Sequence, residues 1–373
     1  MNILTISPAI YPCITGGVEI FNYYLTNELA KRGHKVWILT SCGYDWNNRN
    51  ISLVKLNQRF LINRTLSTYF HLSLELIKLK KQIDVIYVPY TSNSPLAYLL
   101  LLVKKLFNIH YAVTIHGGGM YPWKPKILHE LFFKNADAIV AVSETIRKEY
   151  EKRSGRKIRV IPPLIPFKES KLSKEELRKK YGFGNDDKVI LSLGSIKKIK
   201  GSDTLLYAFL ELGKIYIEKN NLRLLYVGDG PMKPMLAEKV KERNLDGYVK
   251  FLGTIPHEEA PHIYKLADIY VISSLLEGTP IALLEAMFNG LPIVSTDVVG
   301  INNLISHGKN GLLFEKKNIK DLTEKIKEVV ENNDLSNQLG KAAKKDYLKN
   351  YKFEYVVSQY LKLFTKLCKE END

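Results

Sequence analysis

The chain has 373 residues, 45% of them hydrophobic, with 55 Lys+Arg against 39 Asp+Glu. That is enough apolar material for two ordinary domains and excludes global disorder. The longest apolar run, Pro95–Val103, is too short to cross a bilayer, and Cys13, Cys42 and Cys368 show neither CxxC nor metal spacing, so a reducing compartment without a disulfide framework is expected.

The charge is uneven: residues 1–160 carry 22 Lys+Arg against 10 Asp+Glu, and residues 161–373 carry 33 against 29. A basic first half suits an anionic partner, and a solvated lysine-rich surface explains it as well. Met1-Asn2 leads straight into an apolar stretch without a basic start, so no signal peptide is expected.

Residues 2–7 read as a short buried strand. Gly16-Gly17-Val18-Glu19 then opens a helix to Arg32, with Ile20, Phe21, Tyr24, Leu25, Leu29 and Ala30 at helical spacing, and residues 34–40 form the next strand. Strand, glycine turn, helix, strand is a parallel βαβ unit. The paired glycines allow a ligand close to a helix N-terminus, although a plain tight turn would also use them. Residues 59–81 have a broad apolar face flanked by Arg59, Arg64, Lys78, Lys80 and Lys81. Such a helix either packs on the sheet or lies in a membrane interface.

Residues 84–89 are the next strand, 94–107 a helix, and 110–115 a strand that runs into His116 and three glycines. In open α/β sheets ligands bind at strand C-termini, which makes His116 a candidate; a structural histidine is the alternative. A helix over 127–135, a strand over 136–142, a Ser143-capped helix over 144–153 and a short strand over 158–161 complete the array.

After a charged connection, residues 174–181 form a helix capped by Ser173, and the strand 189–193 restarts the same architecture. It runs into Gly194–Gly201, where Lys197, Lys198 and Lys200 make either a phosphate cradle or a solvated basic turn. A helix over 202–217 follows, then the strand 222–227, the turn Gly228-Asp229-Gly230-Pro231, a helix over 232–243 and the strand 249–252. A short helix over 261–265 and the strand 268–272 deliver the chain to 273–292, SSLLEGTPIALLEAMFNGLP.

In that stretch Thr279 can cap a helix, Pro280 suits its first position and Gly290 can close it. The helix is apolar on all sides except for Glu285, and a carboxylate there is costly unless something pairs with it. Glu277 lies on the loop that feeds the helix, and the helix N-terminus between the two carboxylates is a natural place for a phosphate. A loop glutamate followed by a core helix with a snorkelling glutamate is the plain alternative. Strands over 292–296 and 311–314 and helices over 319–332, 335–349 and 352–369 end the chain. No strand follows the last helix, so it must cover a surface that already exists.

Two βα arrays and a Glu-x7-Glu pair now coincide, and with them a series of motifs. In order these are GGVE at 16–19, TIHGGG around His116, ADAIVAVSE at 136–144, VIPP at 160–163, LGSIKKIKG at 193–201, YVGDGP at 226–231, the long run 249–297 and NGLLF at 310–314. The sequence resembles glycosyltransferase family 4 over essentially its whole length, most strongly over Leu191–Phe314. The resemblance implies an α/β GT-B fold, two facing Rossmann-like domains with parallel sheets and a cleft between them. Residues 1–166 would be the acceptor-side domain, 167–350 the nucleotide-sugar domain, and 351–373 a C-terminal helix packing back on the first.

It also implies a retaining, hexosyl-transferring enzyme that uses a UDP-, GDP- or ADP-sugar, and the basic first half with residues 59–81 points to a glycan or lipid-linked acceptor of the cell envelope. Carried over, Glu285 would bind the ribose hydroxyls, Glu277 would sit near the donor sugar, and Lys200 would bind the diphosphate. Gly278, Thr279, Pro280 and Ile281 would surround sugar and diphosphate, Gly16 and Gly17 would close over them, His116 would contact the sugar, and Gly253 and Thr254 would lie near the base. His116, Glu277 and Lys200 are the catalytic candidates.

The chain departs from the family at Ser195, a donor-site position where Arg is common; at Val299-Gly300-Ile301-Asn302-Asn303, where Gly-Gly-Xaa-Xaa-Glu is common; and at Thr279, where Phe is frequent. Lys197 or Lys198 could replace the missing cation, without the bidentate fork of Arg. No Asp-x-Asp motif is present, so no metal and no other cofactor is expected. Nucleic acid is not an expected partner, since no aromatic platform accompanies the basic residues. The expected location is cytoplasmic, peripheral at an anionic membrane face. A nucleotide-sugar epimerase and a non-catalytic sugar-nucleotide-binding protein on the same scaffold are the alternatives.

Overall fold

The computed structural model describes residues 1–7, 10, 13, 17–40, 46, 48–55, 73–90, 96–116, 132–162, 166–278 and 280–369. The chain divides into two compact units: Met1–Pro166 with Lys352–Asp373, and Phe167–Tyr351.

The first unit is built on seven parallel strands, β1 (Asn2–Ile6), β2 (Lys35–Thr40), β3 (Ile51–Lys55), β4 (Val85–Tyr90), β5 (His110–Ile115), β6 (Ala138–Ala141) and β7 (Arg159–Val160). Their order is β3-β2-β1-β4-β5-β6-β7. Most read as unbroken apolar runs because helices cover both faces of a parallel sheet. Helix Gly17–Lys31 puts Phe21, Leu25 and Leu29 on Ile3, Val36 and Ile38. The C-terminal helix Phe353–Lys369 adds Val356, Val357, Tyr360 and Phe364 to that same buried cluster, and the Tyr360 hydroxyl lies 3.1 Å from Thr114 Oγ1.

Strand β3 has no counterpart in the sequence reading. It is an edge strand with mixed exposure, so its apolar signal is weak. Residues 73–79 and 132–135 are helical. Residues 80–81 are a turn, so the helix expected over 59–81 ends earlier. Its residues 59–72, residues 127–131 of the helix expected over 127–135, and the glycines 117–119 lie outside the described residues. Cys13 is disulfide-bonded, contrary to the expectation of unpaired thiols. Cys368 forms no disulfide, so the partner of Cys13 lies outside the described residues.

The second unit carries six parallel strands, β8 (Lys188–Leu193), β9 (Leu222–Val227), β10 (Val249–Gly253), β11 (Ile269–Ile272), β12 (Ile293–Thr296) and β13 (Leu312–Phe314), in the order β10-β9-β8-β11-β12-β13. Val189 and Leu191 of β8 enter one buried cluster and Ile190 the other, the period-2 alternation of a sheet covered on both faces. The single helix expected over 202–217 is two helices, Ser202–Glu211 and Lys214–Lys219, parted at Gly213, whose φ of 80° no helix accommodates.

An aspartate stands just before three of the strands and accepts an N–H from the first or second residue of a neighbouring strand. Asp84 takes Asn2 N (2.7 Å), Asp137 takes Tyr111 N (2.9 Å) and Asp268 takes Val189 N (2.7 Å). Each fixes the register at the sheet edge where strands begin.

Candidate functional site

Strand order reverses between β8 and β11, and there the loops beyond their C-terminal ends meet. The loop after β8 passes through Gly194–Lys200 and turns at Gly201, with φ 62°, into helix Ser202–Glu211. A Cβ on Gly201 would stand 1.9 Å from the carbonyl oxygen of Ser273, so only glycine lets the two loops touch. Leu275 N donates to Ile199 O at 2.8 Å, and the Ser273 hydroxyl donates to Gly201 O at 2.8 Å. Gly228 crosses the same loop: a Cβ there would be 2.1 Å from Gly194 O, beside half-buried Ser195. The Gly228 N–H donates to Gly253 O at 2.8 Å, which places Gly253 next to that turn, with Thr254 exposed beyond it.

The lysines of the loop differ. Lys198 is exposed and paired with Asp203. Lys200 Nζ is 2.7 Å from Glu277 Oε1. Lys197 is exposed and has no side-chain partner among the described residues.

Glu277 is almost enclosed, with a side chain 9% exposed, and Oε1 also accepts the Ser274 hydroxyl at 2.6 Å. Oε1 therefore carries both contacts. The turn at Gly300 presses on this segment from behind, since a Cβ there would be 2.2 Å from Glu277 O and 2.5 Å from Gly278 O. Gly278 is half-buried beside it.

Helix Ile281–Asn289 starts one residue later than expected. Pro280 is the cap residue, in extended conformation (φ −72°, ψ 114°), and makes no side-chain cap bond. A proline cap has no side-chain acceptor, so the first N–H groups of the helix stay available to an external anion. Gly290, at φ 69°, ends the helix as expected. Thr279 lies outside the described residues.

Glu285 is buried, and Oε2 accepts the Tyr264 hydroxyl at 2.9 Å. Burial pushes its pKa up to about 7, with the tyrosine bond working in the opposite direction. Tyr270 of β11 lies within the field of both Glu277 and Glu285. The structure thus brings Lys200, Glu277, Gly278, Pro280, Ile281 and Glu285 to one strand-end region of the second unit.

His116 and Gly17 belong to the first unit. Gly17 is exposed at the start of its helix, and Gly16 lies outside the described residues. The His116 ring meets Phe21 of that helix edge-on, with centroids 4.9 Å apart. Its Nε2 is buried with no hydrogen-bond partner among the described residues, and burial drives the pKa down to about 3, which favours the neutral imidazole at the end of β5.

Two residues that shape the site escaped the sequence reading. Ser274 could have been found, since a hydroxyl three positions before a loop glutamate is within reach of it. Tyr264 gave no signal, because 21 positions separate it from Glu285.

Residues 173–346 match the family model described as glycosyl transferases group 1, and residues 15–168 match glycosyltransferase family 4. N-acetyl-alpha-D-glucosaminyl L-malate synthase of Bacillus anthracis is 23% identical over 99% of both chains. Alpha-monoglucosyldiacylglycerol synthase of Streptococcus pneumoniae is 28% identical over 78% of this chain and 70% of its own. Among solved structures, a glycosyltransferase from Rickettsia africae matches with TM-score 0.83 and 20% identity over 99% and 98% of the two chains. Anabaena HepE in complex with UDP-glucose matches with TM-score 0.79 and 18% identity over 98% and 100%.

Proposed function

We propose that this chain, which belongs to glycosyltransferase family 4, moves a hexose from a nucleoside-diphosphate sugar to a glycan or lipid-linked acceptor with retention of configuration. The observation that carries this reading is the carboxylate pair of the second unit: Glu277 on Lys200 and Ser274, and Glu285 buried on Tyr264, on either side of an uncapped helix N-terminus. Glu285 offers its second oxygen to the ribose hydroxyls. The diphosphate lies against the helix N–H groups and draws Lys200 away from Glu277, with Lys197 as the further cation. As the glycosidic bond breaks, negative charge gathers on the leaving diphosphate, and these fixed donors stabilise it without a metal. Glu277, freed of the lysine and still held by Ser274, faces the sugar.

That Anabaena HepE holds UDP-glucose supports a nucleotide-sugar donor, and the Streptococcus pneumoniae synthase supports a lipid acceptor. No described helix is long and apolar enough to cross a membrane. The reading of a peripheral site on an anionic membrane draws on exposed Leu74, Ile77 and Leu106, which accompany Lys78, Lys81 and Lys105 on the first unit. Donor consumption followed by chromatography, with UDP-, GDP- and ADP-sugars offered with and without EDTA, tests the core of the proposal. Lys200→Ala should lower the rate about a hundredfold, comparable to losing one oxyanion donor. An unchanged rate in Lys200→Ala would overturn the role, and a rate abolished by EDTA would overturn metal independence.

A further inference from the structure

The first unit contains a cavity that the proposed reaction does not use. It has a volume of about 870 Å³, within the range of ordinary ligand pockets. It opens where β6 and β7 begin, beside Asp137, Ala138 and Arg159, whereas His116 follows the end of β5. In a parallel sheet those are opposite edges, so the cavity is separate from the strand C-termini.

Its floor is apolar, made by buried Ile139, Ile158, Leu363 and Leu367. Its rim is cationic, and the cations come from three elements. Arg147 stands on helix Glu144–Ser154, Arg156, Lys157 and Arg159 on the segment that follows, and Lys366 on the C-terminal helix. The two carboxylates in the lining are both taken up. Asp137 holds Lys104 and Tyr111 N, and Glu151 holds Arg147 at 2.7 Å and Ile158 N at 2.9 Å. Arg156 donates to the carbonyls of Phe133, Lys134 and Ala136, which are neutral and leave its charge in place. Lys157 and Arg159 are exposed and have no side-chain partner among the described residues.

A concave site with surplus positive charge over an apolar floor concentrates anions that also carry an apolar portion. We propose that this cavity binds the phosphate group of an organic phosphate, with Lys157 and Arg159 as the two free cations that grip it. The phosphate can belong to a soluble compound or to an anionic lipid headgroup, and the two sources separate in the test.

Calorimetric titration with inorganic pyrophosphate reads the soluble source, and sedimentation with phosphatidylglycerol against phosphatidylcholine vesicles reads the lipid source. The variants are K157E/R159E, the charge-matched K31E/K55E elsewhere on the same unit, and K200A, which removes a cation of the donor site. Thermal unfolding checks that each variant is folded. A soluble ligand predicts two pyrophosphate sites, of which K157E/R159E weakens one at least about tenfold, the loss of roughly one charge-assisted contact. K200A weakens the other, and K31E/K55E neither. A lipid ligand predicts vesicle binding that K157E/R159E reduces more than K31E/K55E does. If neither signal falls more in K157E/R159E than in K31E/K55E, the proposal is overturned. Because the donor site is read separately through K200A, failure here leaves the assigned reaction untouched, and the converse also holds.

Discussion

Glu285 shows how a costly residue becomes legible as function. Burial raises its pKa to about 7 in the folded protein, above the unfolded value near 4.3. Its contribution to stability is therefore complete below about pH 4.3 and is lost as pH rises through about 7. Glu285→Gln removes that penalty. Urea melts should show the variant more stable than wild type at pH 8, by an amount on the order of 2 kcal/mol, and equal to it at pH 4. Donor affinity, which depends on the ionised carboxylate, should fall in wild type as pH drops below about 7; a flat profile between pH 6 and 8 would contradict this. Ser274 is a positioning residue, since its hydroxyl fixes the carboxylate of Glu277 at 2.6 Å. In Ser274→Ala the turnover number should fall about tenfold with little change in KM for the donor, and Ser274→Thr should restore most of it. A rise in KM alone would show that Ser274 serves binding only.

At the scale of elements, the aspartates before β4, β6 and β11 are the parts that set the sheets. Asp268 joins Lys174 and Arg178, each at 2.6 Å, to the N–H of Val189 near the start of β8, and Arg178 is 8% exposed. Asp268→Ala leaves that guanidinium without its carboxylate, so a loss of about 3 kcal/mol or more in urea unfolding is expected. A loss below about 1 kcal/mol would mean that the clamp is not structural. Most strands were readable from sequence because parallel strands covered on both faces are unbroken apolar runs, as in residues 85–88 and 269–272. Strand β3 was not, because an edge strand with a half-exposed pattern has no such run. The break at Gly213 was present as a glycine, but one glycine inside an apolar periodicity does not say whether a helix bends or ends. The motif glycines were legible as turns, while their purpose came from distances: Gly201, Gly228 and Gly300 each lie where a Cβ would strike another loop's carbonyl. Tyr264 was not legible at all, because only folding brings it to Glu285.

At the scale of the whole molecule, the same arrangement occurs twice: a parallel sheet whose strand order reverses at its first strand, β1 in one unit and β8 in the other. The charge does not repeat, since residues 1–160 hold the larger part of the surplus of Lys and Arg. An anionic membrane partner recruited by that surplus should be released by salt, as screening shortens to about 3 Å at 1 M. Vesicle binding that survives 1 M salt would contradict an electrostatic origin.

The central claim is that the second unit holds a nucleoside diphosphate through Glu285 and Lys200. Thermal unfolding with UDP, GDP and ADP tests it most directly, because a ligand of the folded state alone raises Tm. One of the three should raise the Tm of wild type and leave that of Glu285→Gln unmoved. No shift with any of them, or an equal shift in Glu285→Gln, would contradict the account.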